Sequence, residues 1–278
     1  MTRESKITSI VSYILLVCLV ALALFPFVVA IITSFKTHEE VYHSPFIWIP
    51  KLPTLANYYY VIIKDGFWRY FFNSVFVATV TTIIAVWLAI MAGYGFSRYK
   101  FKGRNVLKLG SLASYLVPTA VLFLPFYLLM NQLKLLNNLW SLVLTYSALN
   151  MPISILMMSG YFASIPKELD EAAIIDGCSR IRTLIKIILP LASPGIVSVA
   201  LFCFISSWQE FLFALIYIED IPKRTLALGL ATYNTPQHGV MWGNMMAATI
   251  FAVLPTTVVF IFFQKRLIAG LTKGALKE

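Results

Sequence analysis

Ser164-Ile165-Pro166-Lys167-Glu168-Leu169-Asp170-Glu171-Ala172-Ala173-Ile174-Ile175-Asp176-Gly177 is a polar, charge-bearing interruption between two long apolar stretches. Proline fits the first turn of a helix, where its missing N–H is not needed. Glu168, Asp170 and Glu171 follow where the helix dipole favours negative charge. A short helix is therefore expected here. Leu169, Ala172, Ala173 and Asp176 are spaced three or four apart and share a small, partly apolar face. Two adjacent alanines keep that face low enough to seat in a groove on another protein. Gly177 suits a left-handed helix cap, and a second helix from about Ser179 carries Arg180, Arg182 and Lys186 as far as Pro190. The loop 164–190 reads as a pair of short helices exposed between two apolar segments. The plainer alternative is an ordinary interfacial connector.

Composition makes those flanking segments membrane spans. Of 278 residues, 59% are hydrophobic and 12% charged, and the mean hydropathy is +0.81. That apolar share exceeds the usage of ordinary soluble domains. Six windows, 10–33, 70–97, 106–130, 139–163, 195–217 and 245–263, approach or exceed the roughly 20 apolar residues needed to cross a bilayer. The expected fold is all-α, a single membrane domain over 1–278 with six transmembrane helices. The first window is too long for a signal-peptide core of about 7–15 residues and reads as an uncleaved anchor. Pro26 within it is expected to kink the helix.

Lysine and arginine set the orientation. With the N-terminus inside, 15 of the 22 fall on the cytoplasmic side, including Arg98, Lys100, Lys102, Arg104 and Lys108. The outer segments hold Lys36, Lys51, Lys64, Arg69, Lys134, Lys223 and Arg224. The positive-inside rule places both termini in the cytoplasm, and membrane anchoring accounts for the net charge of +10 without nucleic acid. Cys18, Cys178 and Cys203 offer no pair on the oxidising side, so a disulfide framework is not expected. Neither an HExxH zinc pattern nor a GxSxG elbow occurs, and no metal site is expected.

The spacing Glu171-Ala172-Ala173, three residues, Gly177, nine residues, Ile187, one residue, Leu189-Pro190 resembles the signature loop of the membrane subunits of bacterial and archaeal ABC importers. Similarity to the carbohydrate-importer branch extends along the chain. It includes Thr33-Ser34-Phe35-Lys36, Asn73-Ser74, Phe101-Lys102-Gly103-Arg104, Trp208-Gln209-Glu210-Phe211, Arg224-Thr225-Leu226 and Met246-Ala247-Ala248. The chain looks like the smaller, maltose-type permease subunit. Two departures are Gln209, where the family often has Asn, and Leu226-Ala227 in place of a common Leu-Pro.

The resemblance implies a type I importer permease fold in a bacterial or archaeal cell (inner) membrane. It implies a second homologous permease, two copies of a nucleotide-binding ATPase and an extracytoplasmic solute-binding protein as partners, besides membrane lipid. It also implies transport of a sugar or sugar-like solute by alternating access. Glu168, Asp170, Glu171, Ala172, Ala173, Asp176, Gly177 and Pro190 would then couple to the ATPase. No GxxxxGK[ST] phosphate loop is present, so the chain is not expected to cradle nucleotide phosphates, and the resemblance implies a permease that is no enzyme and binds no cofactor itself. ATP and Mg would be bound by the partner. The alternative is an ion-coupled secondary transporter, which usually needs several membrane carboxylates or broken helices in internal repeats.

Within the spans, Glu210 is the charged side chain placed deepest, and it must face protein or water. Its expected role is helix packing or capping, with the translocation path as the alternative. Asn150-Met151-Pro152 is expected to interrupt the fourth span, since proline disfavours helix before it. Tyr146 and Asn150 would offer a sugar an aromatic face and an amide, and Trp208, Gln209 and Glu210 complete the candidate path. The outer tip Tyr233-Asn234-Thr235-Pro236-Gln237-His238-Gly239 is turn-rich. By resemblance, Tyr233, Asn234, Thr235, Gln237, His238 and Gly239 would meet the binding protein.

Overall fold

A computed structural model describes residues 3–45, 47–235 and 239–275, with side chains over 9, 11–45, 47–233 and 241–264. The expected tip residues Gln237 and His238 lie outside the described residues, as do the side chains of Asn234, Thr235 and Gly239. Helices α1 (Arg3–Ser34), α4 (Phe67–Arg98), α7 (Leu139–Ser164) and α14 (Trp242–Ala275) are long; α2 (His38–Val41) and α3 (Ala56–Tyr59) are short. Between them run α5 (Arg104–Tyr115), α6 (Thr119–Gln132), α8 (Glu168–Ile175), α9 (Arg180–Thr183), α10 (Leu189–Leu191), α11 (Ser193–Gln209), α12 (Leu212–Tyr217) and α13 (Leu226–Leu230). A two-residue hairpin, β1 (Asn234–Thr235) with β2 (Gly239–Val240), pairs Asn234 with Val240 in an otherwise helical chain.

Among the described residues, four helices are long and apolar enough to span on their own, and two further pairs pass only as bent spans. Arg104–Tyr115 and Thr119–Gln132 meet at 98°. The cause is Pro118, which donates no hydrogen bond and pushes Val117 out of the helical region. Arg180–Leu191 and Ser193–Gln209 meet at 79°, where Pro194 lacks the N–H that would continue the ladder to Pro190. The third window is thus sharply bent, and the fifth, expected to run to residue 217, stops at Glu210, whose backbone is extended (ψ 129°). The fourth window behaves oppositely. No interruption occurs at Pro152, and α7 runs on to Ser164, with the Ser154 hydroxyl bonded to the Asn150 carbonyl at 2.7 Å. Pro26 likewise lies inside an unbroken α1.

Residues 69–228 with 255–278 form one compact unit, and residues 1–68 with 229–254 another. In the first, α4, α7 and α11 share a core of Ala85, Ala89, Ile155, Met158, Val199 and Cys203, which continues into Leu184 and Ile188 of the 164–190 loop. Close approach of α4 to α7 depends on Gly93: a Cβ there would sit 2.7 Å from Met158 Cβ and 2.9 Å from Ser159 N. Small residues are what allow such backbone proximity between membrane helices. The segment before α13 is latched to α4. Asn73 Nδ2 donates to the carbonyls of Pro222 and Arg224 at 2.9 Å each, and Ser74 Oγ accepts from Leu226 N at 2.8 Å.

The other unit organises the segment after α1. Asn57 Nδ2 donates to the carbonyls of Ser34 (2.9 Å) and Lys36 (2.8 Å), closing the chain between them. Glu40 forms a capping box with Thr37 and accepts from Lys51 N at 2.8 Å and Leu52 N at 3.4 Å. Burial pushes the Glu40 carboxyl up, but the N–H donors of Lys51, Thr37 and Leu52 and the Lys36 charge outweigh it. The net result is a pKa below the ordinary 4.5.

Two outcomes follow from these contacts. Gly93→Val is expected to cost about 1–3 kcal/mol through overpacking, read as a lower thermal unfolding midpoint in detergent. Because the folded pKa of Glu40 is depressed, its contribution is present above the unfolded value and lost as pH falls through the folded one. Hydrogen-exchange protection at Lys51 and Leu52 should hold at neutral pH and decline below the ordinary carboxylate range, and Glu40→Gln should abolish that dependence.

Candidate functional site

The 164–190 loop is built as two short helices joined at a glycine. Helix α8 begins at Glu168, two residues later than a start led by Pro166, with the Lys167 carbonyl accepting from Asp170 N (2.9 Å) and Glu171 N (3.2 Å). Its end is a Schellman closure: Cys178 N bonds Ala173 O at 2.9 Å, Gly177 N bonds Ile174 O at 3.0 Å, and Gly177 has φ +81°. That left-handed conformation suits glycine, because a Cβ there costs about 1–2 kcal/mol. Ser179 then caps α9. A π-helical turn, Leu184–Ile188, leads into α10; this register slip lies just before Pro190, which has no N–H to contribute.

Helix α8 has two distinct faces. Glu168, Leu169, Glu171, Ala172, Ile174 and Asp176 are exposed, and Ile175 is 85% exposed. Ala173 and Asp170 are buried, which corrects the expectation that Ala173 shares an outward face with Ala172. The reason is rotation of about 100° per residue: Ala173 lies one turn from Asp170, over the core. Asp170 Oδ1 accepts from the Tyr94 hydroxyl at 2.7 Å, and Oδ2 lies 2.9 Å from Arg98 Nε. Pro190 is exposed.

The candidate path residues converge differently than expected. Along α7, Tyr146, Asn150 and Ser154 face α11 at four-residue intervals. The Tyr146 hydroxyl donates to Glu210 Oε2, Asn150 Nδ2 donates to Ser207 Oγ at 3.2 Å, and the Ser154 hydroxyl lies 3.2 Å from Cys203 Sγ. Tyr146 and Asn150 are 2% and 5% exposed, so the aromatic face and amide anticipated for a sugar are committed to a helix–helix seam. Glu210 Oε1 also accepts from Leu212 N (2.9 Å) and Phe213 N (3.0 Å), capping α12 where α11 ends. Trp208 is buried, stacked on Phe204 and edge-on to Phe71. Gln209 is exposed.

Tyr233 is likewise corrected from an exposed contact to an anchor. Its ring packs on Phe67 with centroids 5.7 Å apart, its hydroxyl bonds Asp65 at 2.7 Å, and it is buried. Sequence reasoning missed the partners of Asp170. By sequence Arg98 is a topological charge, and its four-residue spacing from Tyr94 is the signal that sets both on one face of α4.

Among the described residues, four long apolar helices, two helix pairs that pass only as bent spans and a polar two-helix loop standing on the core define a multi-pass membrane protein. Residues 85–273 match the family of binding-protein-dependent transport system inner membrane components. The chain belongs to that family: it is a membrane-embedded permease subunit of an ABC importer, not an enzyme, and such permeases work with a solute-binding protein and ATPase subunits. It is 35% identical to the trehalose/maltose transport system permease protein MalG of Thermococcus litoralis, over 99% of both chains. It is also 35% identical to the sulfoquinovosyl glycerol transport system permease protein SmoH of Agrobacterium fabrum, over 91% of this chain and 89% of that one. The arabinooligosaccharides transport system permease protein AraQ of Halalkalibacterium halodurans is 35% identical over 92% of each. A bacterial ABC transporter that imports alginate shares the fold, with TM-score 0.83 at 23% identity over 96% of this chain and 99% of that one.

Glu210→Ala should lower stability by about 1–2 kcal/mol, the usual size of a lost helix cap, with Glu210→Gln retaining most of it. Thermal unfolding of the purified chain in detergent reads the difference.

Proposed function

We propose that this chain forms, with a second homologous permease, the passage for a sugar or sugar-like solute. An extracytoplasmic binding protein delivers the solute, and two copies of an ATPase subunit bind the ATP and Mg. The chain crosses the membrane six times with both termini inside, the third and fifth crossings being bent. The excess of Lys and Arg on that side supports the orientation. The carbohydrate class is supported by the solutes in the relatives' names: trehalose/maltose, sulfoquinovosyl glycerol and arabinooligosaccharides.

The observation that carries the reading is the form of α8. Its outer face presents Glu171, Ala172, Ile174 and Ile175, while the Gly177 turn and the core beneath hold it at a defined angle. Such a face suits a groove in the ATPase, with apolar knobs at its centre and acidic residues at its rim. Glu168, Glu171, Asp176 and Gly177 thereby receive the ATP-driven movement, and alternating access follows from transmission of that movement to the spans. Gln209 is the candidate path residue whose side chain remains accessible, and Asn234, Thr235, Gln237, His238 and Gly239 form the tip offered to the binding protein.

In vesicles holding the reconstituted complex, Glu171→Ala and Gly177→Asp should each lower ATP-dependent uptake at least tenfold. The probes are trehalose, maltose and arabino-oligosaccharides, first sorted by thermal shift of the binding protein. No Cβ neighbour lies within 4 Å of Gly177, so Gly177→Asp acts through backbone strain and not a clash. Full uptake and ATPase association in both variants would remove the docking role. Uptake that persists without ATP and follows a proton or sodium gradient would favour the ion-coupled alternative.

A further inference from the structure

Helix α8 presents Glu171 outward, yet the residue before it points the opposite way into a buried cluster. The Asp170 carboxylate divides its two oxygens between two side chains of α4: Oδ1 accepts from the Tyr94 hydroxyl at 2.7 Å, and Oδ2 meets Arg98 Nε at 2.9 Å. Tyr94 and Arg98 are four residues apart, so both lie on one face of α4 in its last two turns. The Arg98 and Asp170 side chains are 6% and 12% exposed. The contact with Arg98 is Coulombic and not a directed hydrogen bond. Nη1 and Nη2 are buried as well, with no hydrogen-bond partner among the described residues. Those residues give Arg98 no second acidic neighbour within ion-pair distance, which makes Asp170 its counter-charge. The Tyr94 hydroxyl is held in place by its ring, edge-on to Phe162 (5.6 Å) and Tyr99 (6.2 Å). Ala173, one turn beyond Asp170, is small enough to let α8 lie flush over the core.

Apolar contacts between helices slide at little cost, because one methyl neighbour replaces another. A buried ion pair does not, since parting the charges leaves each uncompensated in a low dielectric. We propose that Tyr94 and Arg98 tie α8 to the cytoplasmic end of α4 through Asp170, so that a displacement imposed on α8 is carried directly into that span. Tyr94, Arg98 and Asp170 are thus positioning residues, and the outward residues of α8 make the contact that moves them. The inference rests on the reading of the loop as the ATPase-docking element.

The test uses electron-spin distance measurements on the complex reconstituted with its partner permease and ATPase subunits. The background is Cys18→Ala, Cys178→Ala and Cys203→Ala, without nucleotide and with ATP plus vanadate. One labelled pair is Lys100→Cys with Lys167→Cys, across the tie; the other is Lys100→Cys with Lys134→Cys, which reports the cytoplasmic end of α4 against the outer loop. In the parent, the first distance stays constant and the second shifts with trapped nucleotide. In Asp170→Asn, the first distance becomes nucleotide-dependent by about 2 Å or more, the scale of helix shifts in switching proteins, and the second shift shrinks. Tyr94→Phe keeps the ion pair and gives a smaller slip in the same direction, which serves if Asp170→Asn does not assemble. Exchanging the charges, Arg98→Asp with Asp170→Arg, restores the parent distances. A parent that responds alongside an Asp170→Asn variant that responds identically overturns the tie alone. So does a charge exchange that behaves like Asp170→Asn, the mark of a merely structural contact. A parent in which trapped nucleotide moves neither pair overturns the docking reading as well.

Discussion

Inside a bilayer no water satisfies a peptide group, so every departure from a continuous helix must carry its own hydrogen-bond partners. This constraint explains where the polar residues of the chain are spent. At the end of α11 the backbone turns extended, and the Glu210 carboxylate closes the gap by accepting from Leu212 N and Phe213 N while taking the Tyr146 hydroxyl. At Pro152 the helix continues, although the proline has no N–H to give the Ala148 carbonyl one turn back. Glu210, the charged side chain placed deepest in the apolar windows and expected to pack or cap a helix, is a structural acceptor here.

The same economy governs helix packing. Lipid tails give apolar side chains no reason to prefer one helix partner to another, so specificity comes from close backbone approach and interhelical hydrogen bonds, worth on average about 0.6 kcal/mol each. Gly93 supplies the approach of α4 to α7. Tyr146, Asn150 and Ser154 supply the polar seam of α7 with α11. Leu184 and Ile188 of the 164–190 loop are themselves part of the continuous core, which gives the loop's short helices a firm base. A loop resting on such a base can pass on a push, whereas a loosely held connector would absorb it.

Much of the architecture was legible in the residues. The polar break, the acidic start of α8 and the left-handed Gly177 follow from local chemistry and are found where expected, whereas the third apolar window is sharply bent and the fifth stops at Glu210. Several short motifs quoted for their resemblance turn out to be staples. Asn73 and Ser74 hold the segment around Pro222 to Leu226, and Ser34 and Lys36 offer the carbonyls that Asn57 gathers. Their partners are 21 to 152 residues away, a separation at which periodicity carries no signal.

What the sequence determined by itself was set by short-range physics: which segments are apolar enough to leave water, and where the polar loop with its Gly177 turn separates them. Tertiary structure decided which of several polar residues faces which neighbour. Asp170 and Glu171 are adjacent acids at the start of one helix, indistinguishable by composition. Rotation of about 100° between them, over a core assembled from α4, α7 and α11, turns one inward to Arg98 and leaves the other outside. That division depends on the helix being seated against its neighbours, because an isolated helix has no inside.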